Sequence, residues 1–340
     1  MKVLLYFENQ KALRQSGIGR ALVHQKKALE LAGVDYTLDF NDNDYDVVHI
    51  NTLFFNSYKK LKKCKKKGLK VIVHGHSTVE DFKYSLRLWR LIAPIYNQLI
   101  LRMYRKADVI ITPTEYSKSL IQAYKGVNCP VYAISNGIML DDYKYEPDKA
   151  LKFEEYFKIE PNKKIVICAG LYFERKGIRD FFEIARQMPD VQFIWFGHLK
   201  PFMTQLKILK AIKKRPANVI MPGYVDIEVL RGAFMKADAF LFLSHEENEG
   251  IAVLEALASK LPVIVRDIGV FKGWLEHKVN VLKGNTIEEF KDDLEYVFNN
   301  DMTEIVENAY KVVEERNLTD IGNKIKSVYE SVYNEQKKNA

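Results

Sequence analysis

Cysteine is scarce in this chain of 340 residues: Cys64, Cys129 and Cys168 are the full set. Their spacing makes neither a metal site nor a disulfide framework, which predicts a reducing, cytoplasmic compartment. Also missing is any uninterrupted apolar run of the ~18–20 residues needed to span a bilayer. The opening MKVLLYFENQ meets Glu8 and Asn9 too early to read as a signal peptide. No short-period repeat or low-complexity tract occurs. Apolar residues at 47% and charged residues at 28% exclude global disorder and a collagen-like rod.

Carboxylates are missing where cations are dense. Residues 1–150 hold 24 Lys+Arg and 15 Asp+Glu, a balance of +9. Residues 151–340 hold 28 and 29, a balance of −1, and the two sum to the overall +8. Asymmetry of this kind points to an anionic partner that meets one half only, although a solvated lysine surface fits the same count. No stacking-aromatic or reader-helix motif accompanies it, so no nucleic-acid partner is expected.

What is present is a regular alternation. KVLLYF (2–7), DVVHI (46–50), LKVIVH (69–74), DVIIT (108–112) and VYAI (131–134) are short, continuous apolar runs followed by polar turns. They read as buried parallel strands. Between them lie stretches long enough for crossover helices. A second series follows: KIVICAG (164–170), VQFIWFG (191–197), NVIM (218–221), DAFLFLS (238–244) and LPVIVRD (261–267). The pattern predicts an α/β protein of two doubly wound, Rossmann-like domains facing a central cleft. The expected division is an N-terminal domain over 1–150, a second over 151–318, and a C-terminal helix over 319–340 that returns to the first. Ligands bind such sheets at the carboxyl ends of the strands.

Several residues at those ends could carry chemistry. Ser16-Gly17-Ile18-Gly19-Arg20 leads from strand to helix, where glycines let a backbone approach an anion. It is not a complete dinucleotide fingerprint, and a structural turn fits it equally. His74, in His74-Gly75-His76, can donate to a hydroxyl or phosphate. A metal there is not expected, because His-x-His brings no third ligand nearby. Glu174-Arg175-Lys176-Gly177 sets two cations before a helix, suited to a diphosphate, although a solvated loop can look the same. The densest constellation is DAFLFLSHEENEGIAVLEALASKLPVIVRD, residues 238–267. Its acidic loop turns at Gly250 into the helix IAVLEALA, and Glu247 and Glu255 stand at the helix entrance and on its second turn. Such glutamates can accept hydrogen bonds from vicinal hydroxyls. Dipole stabilisation of a helix N-terminus explains the loop acids but leaves Glu255, inside an apolar helix, unexplained.

With these residues in view, the chain resembles the retaining glycosyltransferases of family 4, which have the GT-B fold. The family's E-x7-E pattern matches Glu247 and Glu255, its G-…-K-G segment matches Gly170 to Gly177, and Ile134-Ser135-Asn136-Gly137-Ile138 fits loosely. The resemblance implies a nucleotide-sugar co-substrate, usually a UDP-hexose, held mainly by the second domain, with no further cofactor and no metal. Lys176 would hold the diphosphate, and Glu255 the ribose. Glu247 would contact the donor sugar, with Asn248, Glu249, Gly250 and Ile251 completing that wall. The backbone at Gly17 and Gly19 would approach the phosphates, and His74 would lie near the transferred sugar. The catalytic candidates are therefore His74 and Glu247. Two departures stand out. Leu171 occupies the place of a common arginine, which makes Arg175 the candidate second cation. Asp267-Ile268-Gly269-Val270 replaces a usual Gly-Gly pair.

The basic half bears on the acceptor. KKLKKCKKKGLK holds Lys59, Lys60, Lys62, Lys63, Lys65, Lys66, Lys67 and Lys70, and no Asp or Glu occurs between Asp46 and Glu80. FKYSLRLWRLIAPIYNQLILRMYRK (82–106) mixes cations with aromatics, and Lys83, Arg87 and Arg90 fall on one face if the stretch is helical from its start. With Trp89 it suggests an interfacial helix on an anionic membrane; packing inside the domain with the cations in water is the plain alternative. The motifs SGIGR, HGHST and NEGI resemble those of bacterial glycolipid synthases, which extend glucosyl-diacylglycerol. The resulting expectation is peripheral association with the inner membrane face and a glycolipid acceptor. The competing readings are a soluble, polysaccharide or undecaprenyl-linked acceptor, a GT-B epimerase, and a non-catalytic basic binding module.

Overall fold

In the computed structural model the described residues are 1–338 except 15, 43 and 161, so the end of the expected 319–340 helix lies outside them. The chain forms two compact units. One comprises Met1–Phe82, Arg90–Gly137 and Arg316–Ala340, and the other Lys83–Trp89 and Ile138–Glu315.

The first unit is a parallel sheet of β1 (Lys2–Tyr6), β2 (Asp35–Thr37), β3 (Val47–Ile50), β4 (Val71–His74), β5 (Val109–Thr112) and β6 (Val131–Ala133). Their spatial order is β2-β1-β3-β4-β5-β6. Strands β3, β4 and β5 are buried along their whole length. This is why they read as unbroken β-branched runs rather than as alternation. One face packs Leu4, Val48, Ile50, Val71, Val73 and Ile110 against Leu61, Cys64, Leu99, Ile100 and Met103. Those partners come from helices Phe55–Lys66 and Trp89–Tyr104. Helices Gly17–Leu31 and Leu318–Lys338 pack on each other. Gly322 allows that approach, since a Cβ there would sit 2.1 Å from the Ala28 carbonyl oxygen.

The second unit is another parallel sheet: β7 (Ile165–Ala169), β8 (Gln192–Phe196), β9 (Val219–Gly223), β10 (Ala239–Phe242), β11 (Val263–Arg266) and β12 (Leu282–Gly284). Its order, β12-β11-β10-β7-β8-β9, is that of a dinucleotide-binding sheet, with the reversal between β7 and β10. Trp195, Phe181 and Phe193 meet edge to face in its core. The charged stretch after Leu140, which shows no strand pattern, contains helix Pro147–Phe157, begun by proline at its first position.

One expectation about residues 82–106 is overturned. The helix begins only at Trp89, so Lys83 and Arg87 do not share a helical face with Arg90. Tyr84 takes a left-handed φ of 59°. The Arg87 N–H donates to the Met203 carbonyl at 2.8 Å, and Gln205 Nε2 donates to the Tyr84 carbonyl at 3.0 Å. These bonds hold residues 83–88 as turns of the second unit.

Candidate active site

The reversal between β7 and β10 is where an open α/β sheet offers a crevice to a ligand. The second-half motifs converge there. After β7 comes Gly170, and after β10 the segment Ser244–Gly250 runs into helix Ile251–Ala258. Gly177 has φ 76°, and a Cβ on it would stand 2.4 Å from the Leu243 carbonyl oxygen. Only glycine lets the turn Glu174–Lys176 press against the exit of β10.

That contact places two cations on one carboxylate. Lys176 Nζ forms an ion pair with Glu247 Oε1, and Arg175 Nη1 lies 3.4 Å from the same oxygen. Arg175 is oriented by Nη1 donating to the Glu246 carbonyl at 2.7 Å and Nε donating to Ser85 Oγ at 3.0 Å. All three groups are largely shielded, with side-chain exposures of 13%, 15% and 9% for Arg175, Lys176 and Glu247. Burial pulls the Lys176 ammonium below its usual value, with Glu247 opposing. Burial also pushes the Glu247 carboxyl up, but Lys176 and Arg175 outweigh it and the net direction is down. The cluster thus brings together two basic side chains and one carboxylate at the mouth of the sheet.

Glu255 lies one helix turn deeper, buried to 3% exposure, and accepts a hydrogen bond from the Tyr143 hydroxyl at 2.9 Å. Asn248 and Glu249 are buried beside it in sequence, and Gly250, at φ 90°, opens the helix that begins at Ile251. The helix N-terminus and the cation pair together suit a diphosphate. Asp267, in the segment that departs from the Gly-Gly pattern, is paired with Lys283 at 3.1 Å.

In the first unit the strand order reverses between β1 and β3. Gly17 opens helix Gly17–Leu31 and is exposed, and a Cβ there would meet nothing within 4 Å. Gly19 differs from what the motif suggests. Its N–H donates to Ser16 Oγ at 3.2 Å, and a Cβ on it would lie 2.1 Å from the Leu13 carbonyl oxygen. Its close approach is thus to its own chain, and the open backbone of the pair is at Gly17.

His74 ends β4 and is buried, but a third imidazole lies beside it, against the expectation from His-x-His alone. His49 and His74 lie edge to edge, their planes 9° apart and His49 Nε2 3.2 Å from His74 Nδ1, and His76 stacks on His74 with centroids 3.8 Å apart. Among the described residues no group of three His, Cys, Asp or Glu side chains could hold a metal ion. Asn51, following β3, is fully buried, and both its amide atoms lack a hydrogen-bond partner among the described residues. His49 and Asn51 were missed by sequence reasoning; the one available signal was a histidine inside an otherwise aliphatic strand.

A sheet with this order, a two-cation clamp at its reversal point and a buried glutamate behind it define a glycosyltransferase of GT-B architecture. Comparisons with known proteins agree. The model described as Glycosyl transferases group 1 matches residues 151–312, and Glycosyltransferase Family 4 matches residues 23–142. The chain is 52% identical over 332 residues to the processive diacylglycerol alpha-glucosyltransferase of Acholeplasma laidlawii, covering 98% of each. It is 27% identical over 289 residues to the alpha-galactosylglucosyldiacylglycerol synthase of Streptococcus pneumoniae, covering 81% of this chain and 75% of that one. Among solved structures, Anabaena HepE in complex with UDP and glucose superposes with a TM-score of 0.79 at 16% identity, over 97% of this chain and 100% of that one. Sucrose-phosphate synthase from Thermosynechococcus elongatus gives 0.81 at 16%, over 98% and 99%. The chain belongs to glycosyltransferase family 4.

Proposed function

We propose that this enzyme transfers a hexose, with retained configuration, from a UDP-sugar to a diacylglycerol-linked acceptor at an anionic membrane surface. The observation that carries the reading is the 52% identity, along 98% of both chains, to a relative named as a diacylglycerol glucosyltransferase. That name, with the UDP-glucose complex of HepE, favours glucose as the sugar.

In this reading Lys176 and Arg175 hold the diphosphate, so that Arg175 supplies the charge for which Leu171 is unsuited. Glu255 accepts from the ribose. Glu247 exchanges part of its hold on the two cations for the phosphates and turns to the donor-sugar hydroxyls, with Asn248, Glu249, Gly250 and Ile251 lining that wall. The Gly17 backbone approaches the phosphates, and His74 faces the transferred sugar. The bond from the sugar's anomeric carbon to the diphosphate oxygen breaks, and UDP departs with the electron pair. Cations and helix N-terminus stabilise its developing charge. The acceptor hydroxyl attacks the face the leaving group vacates and passes its proton to a phosphate oxygen.

Membrane docking has its own support. Lys59, Lys62, Lys63, Lys66 and Lys67 are exposed on helix Phe55–Lys66 or at its end. Lys65 is paired with Asp108 at 2.6 Å, and Lys60 lies over the Phe40 ring at 3.6 Å, which reduces their share in docking. Helix Trp89–Tyr104 exposes Leu91 (73%), Ile92 and Ile95 (62%), following Arg90. Exposed aliphatics beside cations favour an interfacial role over a merely solvated lysine face. No helix among the described residues is long and apolar enough to cross a membrane.

The test is direct. Purified protein is incubated with UDP-glucose or UDP-galactose over vesicles of glucosyl-diacylglycerol and anionic phospholipid, and lipid products are separated and their linkages determined. A diglycosyl-diacylglycerol formed only with vesicles supports the reading. No lipid product from either sugar, or equal transfer to a soluble glucoside, overturns it.

A further inference from the structure

We infer that His49 is a positioning residue: through a relay that begins on the C-terminal helix, it fixes which nitrogen of His74 carries the proton. The relay lies within the first unit. Burial holds His49 and His76 neutral, each pushed down to about 3, and takes His74 well below the ordinary histidine value. A neutral imidazole has one N–H and one bare nitrogen, so each hydrogen bond determines the next.

The chain of deductions starts at Gln25. Its amide nitrogen, which can only donate, lies 3.0 Å from His49 Nδ1. The Tyr329 hydroxyl, kept protonated because burial pushes its titration far up, lies 2.6 Å from the same nitrogen. With the Gln25 nitrogen only a donor, His49 Nδ1 is the acceptor and the Tyr329 hydroxyl, which can play either part, donates to it as well, so the His49 proton is on Nε2. That nitrogen is 3.2 Å from His74 Nδ1 and donates to it. His74 Nδ1 is therefore an acceptor, and the His74 proton sits on Nε2. Nε2 is buried without a hydrogen-bond partner among the described residues. The relay delivers one fixed donor, pre-aimed and unspent.

The sequence places Tyr329 and His49 280 positions apart. Parallel register brings His49 opposite Ile72, so His49 and His74 point from the same face of the sheet. Helices Gly17–Leu31 and Leu318–Lys338 supply Gln25 and Tyr329 to that face. Because His74 does not titrate near neutrality, it acts as a hydrogen-bond donor rather than as an acid or base. The matching ligand atom is an acceptor oxygen of the hexose undergoing transfer. That last assignment rests on the glycosyltransferase reading; the tautomer does not.

The experiment uses the full chain labelled with 15N-histidine, with long-range 1H–15N spectra reporting each ring's protonated nitrogen. In the wild-type protein His74 should show a single tautomer, protonated on Nε2. His49→Leu removes the donor to His74 Nδ1. It should mix the His74 tautomers and lower kcat/KM about tenfold, the worth of one neutral hydrogen bond. His49→Gln, whose amide can still donate at that position, should restore the Nε2–H tautomer and recover most of the loss. Wild-type His74 protonated on Nδ1, as it would be if Gln25 presented its oxygen, overturns the proposal even if the variants fail to fold. A folded His49→Leu protein with unchanged tautomer and unchanged kcat/KM overturns it as well. An Nε2–H tautomer in a protein that transfers no hexose leaves the relay standing and refutes the functional reading instead.

Discussion

Replacing Lys176 by Met tests whether the clamp and its carboxylate act as one unit. The substitution leaves Glu247, itself only 9% exposed, without its nearest cation. Removing one partner of a buried ion pair costs about 3–5 kcal/mol, because the other charge remains desolvated. Here Arg175 stays within 3.4 Å of Glu247 Oε1, and its retained attraction reduces the expected loss to about 2–3 kcal/mol. For a domain of this size that lowers the melting temperature by about 5–10 °C. In the double variant Lys176→Met/Glu247→Gln only the Arg175 cation remains, whereas Glu247→Gln alone leaves Lys176 and Arg175 side by side with no carboxylate between them. The double variant's stability should exceed the sum of the single losses by at least about 1.5 kcal/mol, the coupling a double-mutant cycle reads. Hexose transfer follows a different rule: every variant lacking Lys176 loses a cation facing the leaving diphosphate, a loss of about 100-fold or more in kcat, and the double variant does not regain it. The assays are denaturant unfolding of all four proteins and radiolabelled transfer to glycolipid vesicles. Strictly additive stabilities would show that the ion pair is not a coupled unit. Recovery of transfer in the double variant would show that Lys176 serves Glu247 rather than the diphosphate.

Other expectations follow from the same geometry. Gly177→Ala must adopt a left-handed φ and move the Leu243 carbonyl; it should cost at least about 2 kcal/mol in denaturant unfolding and weaken UDP binding. Glu255→Gln should raise the dissociation constant for UDP measured by calorimetry, whereas Tyr143→Phe, which removes the hydroxyl that donates to Glu255, should change it by only about tenfold or less. Converting Lys59, Lys62, Lys66 and Lys67 to Gln removes about 1 kcal/mol of membrane attraction per residue, so vesicle sedimentation should fall by about 10²–10³-fold at low salt, with little change at high salt. The buried histidines give a pH signature. In the folded chain His49 and His76 titrate at about 3, while unfolded histidine titrates at the ordinary value of 6.5. Between those values the unfolded state binds more protons, so stability is complete above pH 6.5 and declines as the pH falls toward 3. The slope reaches about 1.4 kcal/mol per pH unit for each histidine, and His49→Gln should make it shallower.

The fold was legible where burial leaves a mark on composition. Strands covered on both faces are largely apolar, and ten short apolar runs stood out, although β6 and β9 are only partly covered. The two strands overlooked, Asp35–Thr37 and Leu282–Gly284, are three-residue strands at the sheet edges with no apolar run to betray them. The donor-side residues were legible because they cluster within one loop and helix; Glu255 announced itself as a charge inside an apolar helix. The contacts that give them partners were not. Tyr143 reaches Glu255 across 112 positions, and His49 meets His74 through strand register, which no local pattern encodes. The helix expected from residue 82 failed for a similar reason: hydrogen bonds to Met203 and Gln205 override its periodicity.

The return of helix Leu318–Lys338 to the unit that Met1–Phe82 and Arg90–Gly137 begin has a consequence for synthesis on the ribosome. A nascent chain can make all six strands of its first sheet long before Tyr329 exists. Until then helix Gly17–Leu31 lacks the surface it packs on, and His49 lacks the hydroxyl beside its Nδ1. The first unit to emerge is thus the last to finish. A chain cut short before Leu318 could still assemble the whole second sheet, yet its histidine relay would be incomplete. A fragment released before Leu318 would leave bare the face of helix Gly17–Leu31 that the C-terminal helix covers.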